Sequence, residues 1–338
     1  MIANVLAATL RSCQQYPVVD GAPIRERKRA AAFLTIETHS HDIEQIRYLQ
    51  RRGFSDLDLV RMIRDYERVL TSAIASGVRE RRPLNDEEHE LIGGTYGRTW
   101  NVRTTPRVKS TSLWGSWDPR FAESQYFESQ LGICVIDDFL SAHVLDELRS
   151  YCLESTVWFA NRYAHGRLGA FFREGFNCPL LTQIAEELRV AFPLLIGDKH
   201  RLLQLWGFKY SSRQPVTHAH ADFAAANLNF WLTPDTANLS ENSGGLVIYD
   251  VEAPADWDFN TYNKDGGRIS LFLLQTGARS ISIPYRANRA VLFNSDLFHA
   301  TQRPNFRPEY ENRRLNITML FGRRSGVNVG ADGSSRVR

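Results

Sequence analysis

Apolar positions recur at helical spacing in the first third of the chain and at alternating spacing in the last. Leu59, Val60, Met62, Ile63, Tyr66, Val69, Leu70, Ala73 and Ile74 follow the rhythm of an amphipathic helix, and Gly77 ends the run. Ser55 followed by Asp58 reads as a capping box at its start. Arg61, Arg64, Asp65, Glu67 and Arg68 make its charged face. From about Gly93 to Gln130 the rhythm lapses into interleaved Gly, Thr, Ser and Trp. That texture predicts a long surface crossing that packs its tryptophans on the neighbouring domain.

Near Gln130 the pattern changes. Ile133-Cys134-Val135-Ile136 is a short apolar run that closes at Asp137-Asp138-Phe139-Leu140. Ser141 is placed as the N-cap of a helix carrying Val144, Leu145, Leu148 and Tyr151, and a second helix is expected from Leu180 to Phe192. After Lys199 strand-like runs dominate: Leu202–Tyr210, Asn227–Leu232, Leu246–Asp250, Ser280–Tyr285, Ala290–Asn294 and Leu315–Phe321. Many short strands with few helices between them predict an antiparallel sandwich or barrel. Glu252–Gly267, rich in Asp, Asn and aromatics, is expected to be a long loop, and the tail after Arg324 to fray.

Composition adds exclusions. The chain has 338 residues, 43% hydrophobic and 23% charged, enough for one large domain or two modest ones. A net charge of +3 with only short basic runs (Arg25–Arg29, Arg51-Arg52, Arg79–Arg82) gives solvated helix faces, not a nucleic-acid surface. Cys13, Cys134, Cys152 and Cys178 lie far apart with no C-x-x-C pair, which excludes a zinc ribbon or thioredoxin motif; Cys134 and Cys152 sit in apolar, core-like contexts. Such usage suits a reducing cytoplasm. No apolar run reaches the ~18 residues of a membrane span. Met1–Leu10 lacks the basic start of a signal peptide, so a cytoplasmic protein is expected.

The chemistry concentrates in Thr217-His218-Ala219-His220-Ala221-Asp222-Phe223. In extended chain, residues two apart project to one side, so His220 and Asp222 can reach one metal, with His218 beside them. His299 is the sole histidine after His220, and it closes the strand-like stretch from Ala290. Two histidines and one carboxylate on one face are the arrangement of non-haem Fe(II) oxygenases. Arg314 heads the last strand, where alternation sets Arg314, Asn316 and Thr318 on one side and Leu315, Ile317 and Met319 on the other. A buried arginine near iron needs an anion, and the distal carboxylate of a 2-oxo diacid matches its planar fork. Arg313 is a rival for that role, since only one of the two points inward.

H-x-D, a distant His, then an Arg heading a strand: this order over roughly residues 130–322 resembles the Fe(II)/2-oxoglutarate oxygenases with a double-stranded β-helix fold. Gly132–Leu148, a strand, Asp-Phe-Leu and a helix, is similar to the opening of such catalytic domains. The resemblance implies an α+β protein with a jelly-roll, cupin-like core and flanking helices. It implies iron on His220, Asp222 and His299, and 2-oxoglutarate on Arg314 with Thr318 and Asn316. O2 would be the oxidant. The expected layout is a helical N-terminal extension over 1–125 (a lid or dimerisation element), an oxygenase domain over 126–324 and a flexible tail over 325–338. The expected reaction is hydroxylation or desaturation of a small molecule, a metabolite or natural-product intermediate, with no nucleic-acid or membrane partner. Two departures stand out. The fifteen-residue gap from His299 to Arg314 is long for the family, leaving Arg313 or a bulge open, and the long Asp222–His299 stretch implies an insertion at Glu252–Gly267.

Rival readings stay in view. His218 reads equally as a group beside the iron or a surface histidine at a strand end. His-x-His-x-Asp also resembles the dinuclear metallo-hydrolase motif, but Phe223 stands where that motif continues with His, and too few histidines follow. A non-catalytic cupin-like sensor or scaffold would keep the barrel and bind metal weakly. A halogenase needs the carboxylate position open, and Asp222 fills it. Thr38-His39-Ser40-His41-Asp42 is read as capping plus a solvated helix face, His89, His143, His165 and His200 as structural or exposed, and Trp206, Phe230 and Trp231 as core. Asn227 and Asn229 share one face of a strand, pointing inward to co-substrate or substrate, or ending the strand as turn formers.

Overall fold

Residues 314–321 alternate between two environments, and that alternation sets the architecture. Leu315, Ile317, Met319 and Phe321 join the main hydrophobic core, while Arg314, Asn316 and Thr318 occupy the opposite face. The computed structural model describes residues 33–79, 81–159, 167–211 and 218–324. Met1–Leu10, Cys13, Arg25–Arg29, His165, Thr217 and the tail after Arg324 lie outside these.

In chain order the first elements are β1 (Phe33–Leu34), α1 (Ile36–Arg51), α2 (Leu59–Ala75), β2 (Arg82–Pro83), α3 (Asp86–Ile92) and α4 (Pro119–Glu128). Then come β3 (Ile133–Ile136), α5 (Ala142–Glu154), β4 (Arg167–Phe171), α6 (Pro179–Ala191), β5 (Leu202–Tyr210) and β6 (Ala226–Trp231). The last are β7 (Leu246–Glu252), α7 (Phe259–Lys264), α8 (Gly266–Gln275), β8 (Ser280–Ile283), β9 (Ala290–Asn294), β10 (Leu297–Thr301) and β11 (Arg314–Phe321). No described helix is long and apolar enough to cross a membrane.

The protein mixes helices with antiparallel sheets. One sheet has six strands in the order β3-β9-β6-β11-β5-β4, and a second has three, β10-β7-β8. A bridge between His220 and His299 adds a short fourth segment beside β10. One face of the six-stranded sheet (Leu205, Leu228, Phe230, Leu292, Ile317) packs with Leu148 of α5 and Leu180, Ile184 and Leu188 of α6. Trp231, Val291 and Phe293 on its other face meet Leu246, Ile248 and Ile283 of the smaller sheet. The segment carrying His220 therefore lies against β10.

A separate core of Leu34, Ile46, Leu49, Leu59, Tyr66, Val69 and Ile92 gathers the N-terminal helices. Polar contacts dock α1 onto the end of α5 and onto β5. Gln45 Nε2 donates to the Leu153 and Ser155 carbonyls, both at 3.0 Å. Buried Lys209 on β5 donates to Cys152 O at 3.1 Å and Tyr310 Oη at 2.9 Å, and its Nζ lies 3.1 Å from His41 Nε2. Burial holds the Lys209 pKa well below the usual lysine range.

Several sequence expectations need correction. Thr38–Asp42 is no solvated face. It lies inside α1, whose N-cap is Thr35, with His39 and His41 fully buried. The α2 cap is Asp58, whose side chain accepts from Arg61 N, so Ser55 is not needed. Ser141 holds the N-cap position of α5 without capping, because its Oγ donates to Ser112 O. Glu252–Gly267 is not a long loop. Asp258 and Asp265, which look like loop residues, are the N-caps that start α7 and α8. The 93–130 crossing contains α4, begun by Asp118 and Pro119. Strands β4 and β10 carry no clear signal of their own.

His39 yields a pH prediction. Its Nε2 lies 2.7 Å from Tyr66 O and its ring stacks on Tyr66 at 5.1 Å. Burial pushes its pKa down from 6.5 to about 4, against upward pulls from the Tyr66 carbonyl and Glu88. Between those values the unfolded chain holds a proton that the folded chain refuses, so this contribution to stability is complete above pH 6.5 and fades toward pH 4. His39→Phe keeps the ring and removes the titration. Urea unfolding across that window should show a shallower pH slope for the variant than for wild type; equal slopes would refute the assignment.

Candidate metal centre

Two backbone hydrogen bonds assemble the site. His220 N donates to His299 O at 3.0 Å and His299 N donates to His220 O at 2.8 Å, making the two residues a directly opposed antiparallel pair. Asp222 N donates to Ser295 O at 3.1 Å, fixing the next same-side position of the segment. One donor atom from each of His220, Asp222 and His299 then lies within 4.8 Å of the others. Asp222 Oδ2 and His299 Nε2 are 3.5 Å apart, and the imidazole centroids are 4.5 Å apart. Asp222 and His299 are buried, and His220 is half-buried.

Main-chain contacts set both tautomers. His220 Nδ1 lies 3.2 Å from His218 O, and His299 Nδ1 lies 3.0 Å from Leu297 O. A carbonyl only accepts, so each Nδ1 carries the hydrogen and each Nε2 keeps its lone pair. Burial, with His299 alongside, pushes the His220 pKa down to about 3, so its imidazole is neutral. Burial alone would raise the Asp222 pKa, but the adjacent His299, then His220 and the Asn227 amide, hold it below the usual value. A neutral imidazole and an ionised carboxylate are the ligand forms that a divalent cation requires. The residues fit a borderline ion such as Fe(II).

A polar stripe leads away from this cluster across the inner faces of β6 and β11. Asn227 Nδ2 donates to Asp222 Oδ2 at 2.7 Å, and Asn229 Nδ2 donates to Asn227 Oδ1 at 2.7 Å. Thr318 Oγ1 donates to Asn229 Oδ1 at 2.6 Å, and Arg314 Nη1 donates to Asn316 Oδ1 at 2.9 Å. Arg314 is 2% exposed, and no described carboxylate pairs with it. Its Nε donates to Gly244 O, and Tyr210, Trp231 and Tyr285 surround its guanidinium at 4.8–5.9 Å. Gly244 has φ +71°, and an added Cβ would lie 2.6 Å from Phe306, so glycine serves both the turn and the close approach. Arg313 turns the other way and grips Glu44 of α1 at 2.8 and 3.0 Å.

The structure thus brings His220, Asp222 and His299 together and sets Arg314, Asn316 and Thr318 on one face. His218 stays outside. Its exposed ring puts Nε2 3.1 Å from Asn263 O, and only its backbone carbonyl serves His220. Asn227 and Asn229 are buried within β6 and are not turn formers. Sequence reasoning missed Asn263, which donates to Ala221 O at 2.8 Å and approaches Asp222 Oδ1 at 3.4 Å. It sits in α7, inside the stretch expected to be loop. His218, Tyr249, Ser270, Thr301 and Gln302 line part of a pocket of about 380 Å³, which none of the three cluster residues lines.

No family model matches the chain, and no curated protein matches it. Solved structures do. A prolyl-4-hydroxylase from Pseudomonas putida is 14% identical, with 61% of this chain and 99% of that one covered and a TM-score of 0.40. HygX from Streptomyces hygroscopicus, with nickel and 2-oxoglutarate bound, is 15% identical over 60% of this chain and 86% of its own, at 0.43. The non-heme alpha-ketoglutarate-dependent epimerase SnoN from nogalamycin biosynthesis is 14% identical over 65% and 92%, at 0.44. At that level of likeness, the reading of function rests on the geometry of the site.

Co(II) titration by calorimetry tests the cluster. Asp222→Ala should weaken binding by more than the roughly 10–100-fold that loss of an outer partner costs. His218→Ala should bind as wild type does, because its contribution to His220 is a backbone carbonyl. Loss of binding in His218→Ala with retention in Asp222→Ala would invert the assignment.

Proposed function

We propose that this chain is an Fe(II)- and 2-oxoglutarate-dependent oxygenase that oxidises an unactivated C–H bond of a small molecule, with release of succinate and CO2. The two antiparallel sheets are read as a double-stranded β-helix. One observation carries the reading: a two-His, one-carboxylate cluster shares an inner surface with a buried arginine that no described carboxylate neutralises. Burying a charge without a counter-charge is expensive, so Arg314 calls for an anionic ligand.

In this scheme His220 Nε2, Asp222 and His299 Nε2 hold Fe(II), and Arg314 receives the distal carboxylate of 2-oxoglutarate, while Thr318 gives its one hydrogen to Asn229 Oδ1 and braces the surface behind it. Both polar ends of Asn316 are engaged by neighbours, so its part is to hold the Arg314 fork. When bound, the iron supplies the O2 chemistry that no side chain performs. The chain supplies position and dryness. Asn227 and Asn263 orient Asp222, main-chain carbonyls orient both imidazoles, and burial of Asp222 and His299 limits water at those two groups. Asp222 in the carboxylate position favours hydroxylation or desaturation over halogenation. The substrate class in this reading is a small metabolite or natural-product intermediate. The three described cysteines, all free and buried, are consistent with a cytoplasmic setting. A dinuclear hydrolase is disfavoured, because His218 turns to Asn263 O and brings no further donor to the cluster.

Succinate formation from 2-oxoglutarate with Fe(II) and ascorbate separates an enzyme from a metal-binding scaffold. The expected result is succinate that disappears with a strong chelator and with Asp222→Ala. Arg314→Met should raise the half-saturating 2-oxoglutarate concentration by about 10–100-fold, the equivalent of ~1.5–3 kcal/mol for a charged hydrogen bond. Arg313→Ala should leave it unchanged. Turnover that survives chelation, or a 2-oxoglutarate requirement that moves with Arg313 instead, would sink the proposal.

A further inference from the structure

Three side-chain amides join the two ends of the inner surface. From Arg314 the chain runs through Asn316 Oδ1 at 2.9 Å, from Asn316 Nδ2 to Asn229 Oδ1 at 3.4 Å, and from Asn229 Nδ2 to Asn227 Oδ1 at 2.7 Å. It ends with Asn227 Nδ2 on Asp222 Oδ2 at 2.7 Å. The longest step has a parallel route, in which Asn316 Nδ2 donates to Thr318 Oγ1 at 3.3 Å and Thr318 donates onward to Asn229 Oδ1 at 2.6 Å.

The direction of this chain is not arbitrary. A guanidinium only donates and an ionised carboxylate only accepts, so each amide between them has one orientation that satisfies both neighbours. The ends thus fix the oxygen and nitrogen of Asn316, Asn229 and Asn227, which a lone buried amide would leave open. All three are buried, so a flipped amide would set donor against donor at one end and acceptor against acceptor at the other, out of reach of solvent. Aligned dipoles of this kind also strengthen one another.

We infer that Asn316, Asn229 and Asn227 form a polarised relay through which Arg314 fixes the orientation of Asp222, so that the anion subsite and the metal subsite are built as one unit. The inference rests on the metal and co-substrate reading above and adds positioning residues to it. Asn229 and Asn316 touch none of His220, Asp222 or His299 among the hydrogen bonds of the site, yet they set the metal subsite through Asn227. Cutting the relay once removes its directional constraint, so a second cut costs nothing more.

The test is Co(II) affinity and visible absorption, measured without 2-oxoglutarate, for wild type, Asn316→Leu, Asn229→Leu and the double variant, with thermal unfolding recorded for each. Each single variant should bind Co(II) about tenfold more weakly, the range for outer partners of a metal site, with an altered Co(II) absorption band. The double variant should be no weaker than the weaker single one. Independent local packing would give additive losses. Asn229→Ser, too short to span Thr318 and Asn227, replaces Asn229→Leu if that protein does not fold. Additive losses, or wild-type affinity in Asn316→Leu, would overturn the relay and leave the metal reading intact. A wild-type chain that binds no Co(II) would overturn both.

Discussion

The reciprocal backbone pair between His220 and His299 is the contact on which the site depends. It holds a short segment after β5 against β10 and sets two imidazoles on the same side of the pair. Asp222 follows by the period of an extended chain and is pinned by Ser295 O. Slip this register by one residue and His220 and Asp222 both turn away from His299. The six-stranded sheet braces that register, since Ala225 N donates to Phe321 O of β11, and α7 braces it through Asn263.

The second constraint is a polar interior. Between the two sheets, where hydrocarbon would be the cheaper filling, β6 and β11 present Asn227, Asn229, Asn316, Thr318 and Arg314. Such a set is tolerable only when its donors and acceptors are satisfied, and the relay satisfies them down to the guanidinium. What stays uncompensated is the charge of Arg314, hemmed in by three aromatic rings. Burial pushes its pKa below the ordinary arginine value, though a guanidinium remains charged. The protein therefore keeps a buried cation at a fixed place beside a cluster fit for a metal. That pairing is the physical content of the functional proposal.

Much of the architecture was legible because strand periodicity is a local signal. The alternation in Leu315–Phe321 and the spacing of His220 and Asp222 both survive reading in one dimension. The arginine ambiguity did not, since Arg313 and Arg314 differ by one step and the deciding partner, Glu44, lies in α1. His39 and His41 look like surface histidines until α1 is seen packed against Tyr66 and Lys209. Asp258 and Asp265 are ambiguous for another reason: the same residue types cap helices and build turns. The amide relay has no sequence signature at all, because its links join β6 to β11 across a register that only the folded sheet defines.

The most direct test is anomalous diffraction from crystals soaked with Co(II) and 2-oxoglutarate. The account predicts one strong peak at bonding distance from His220 Nε2, Asp222 and His299 Nε2, with the distal carboxylate of the co-substrate on Arg314. A metal bound elsewhere, or a co-substrate whose carboxylate ignores Arg314, would contradict it.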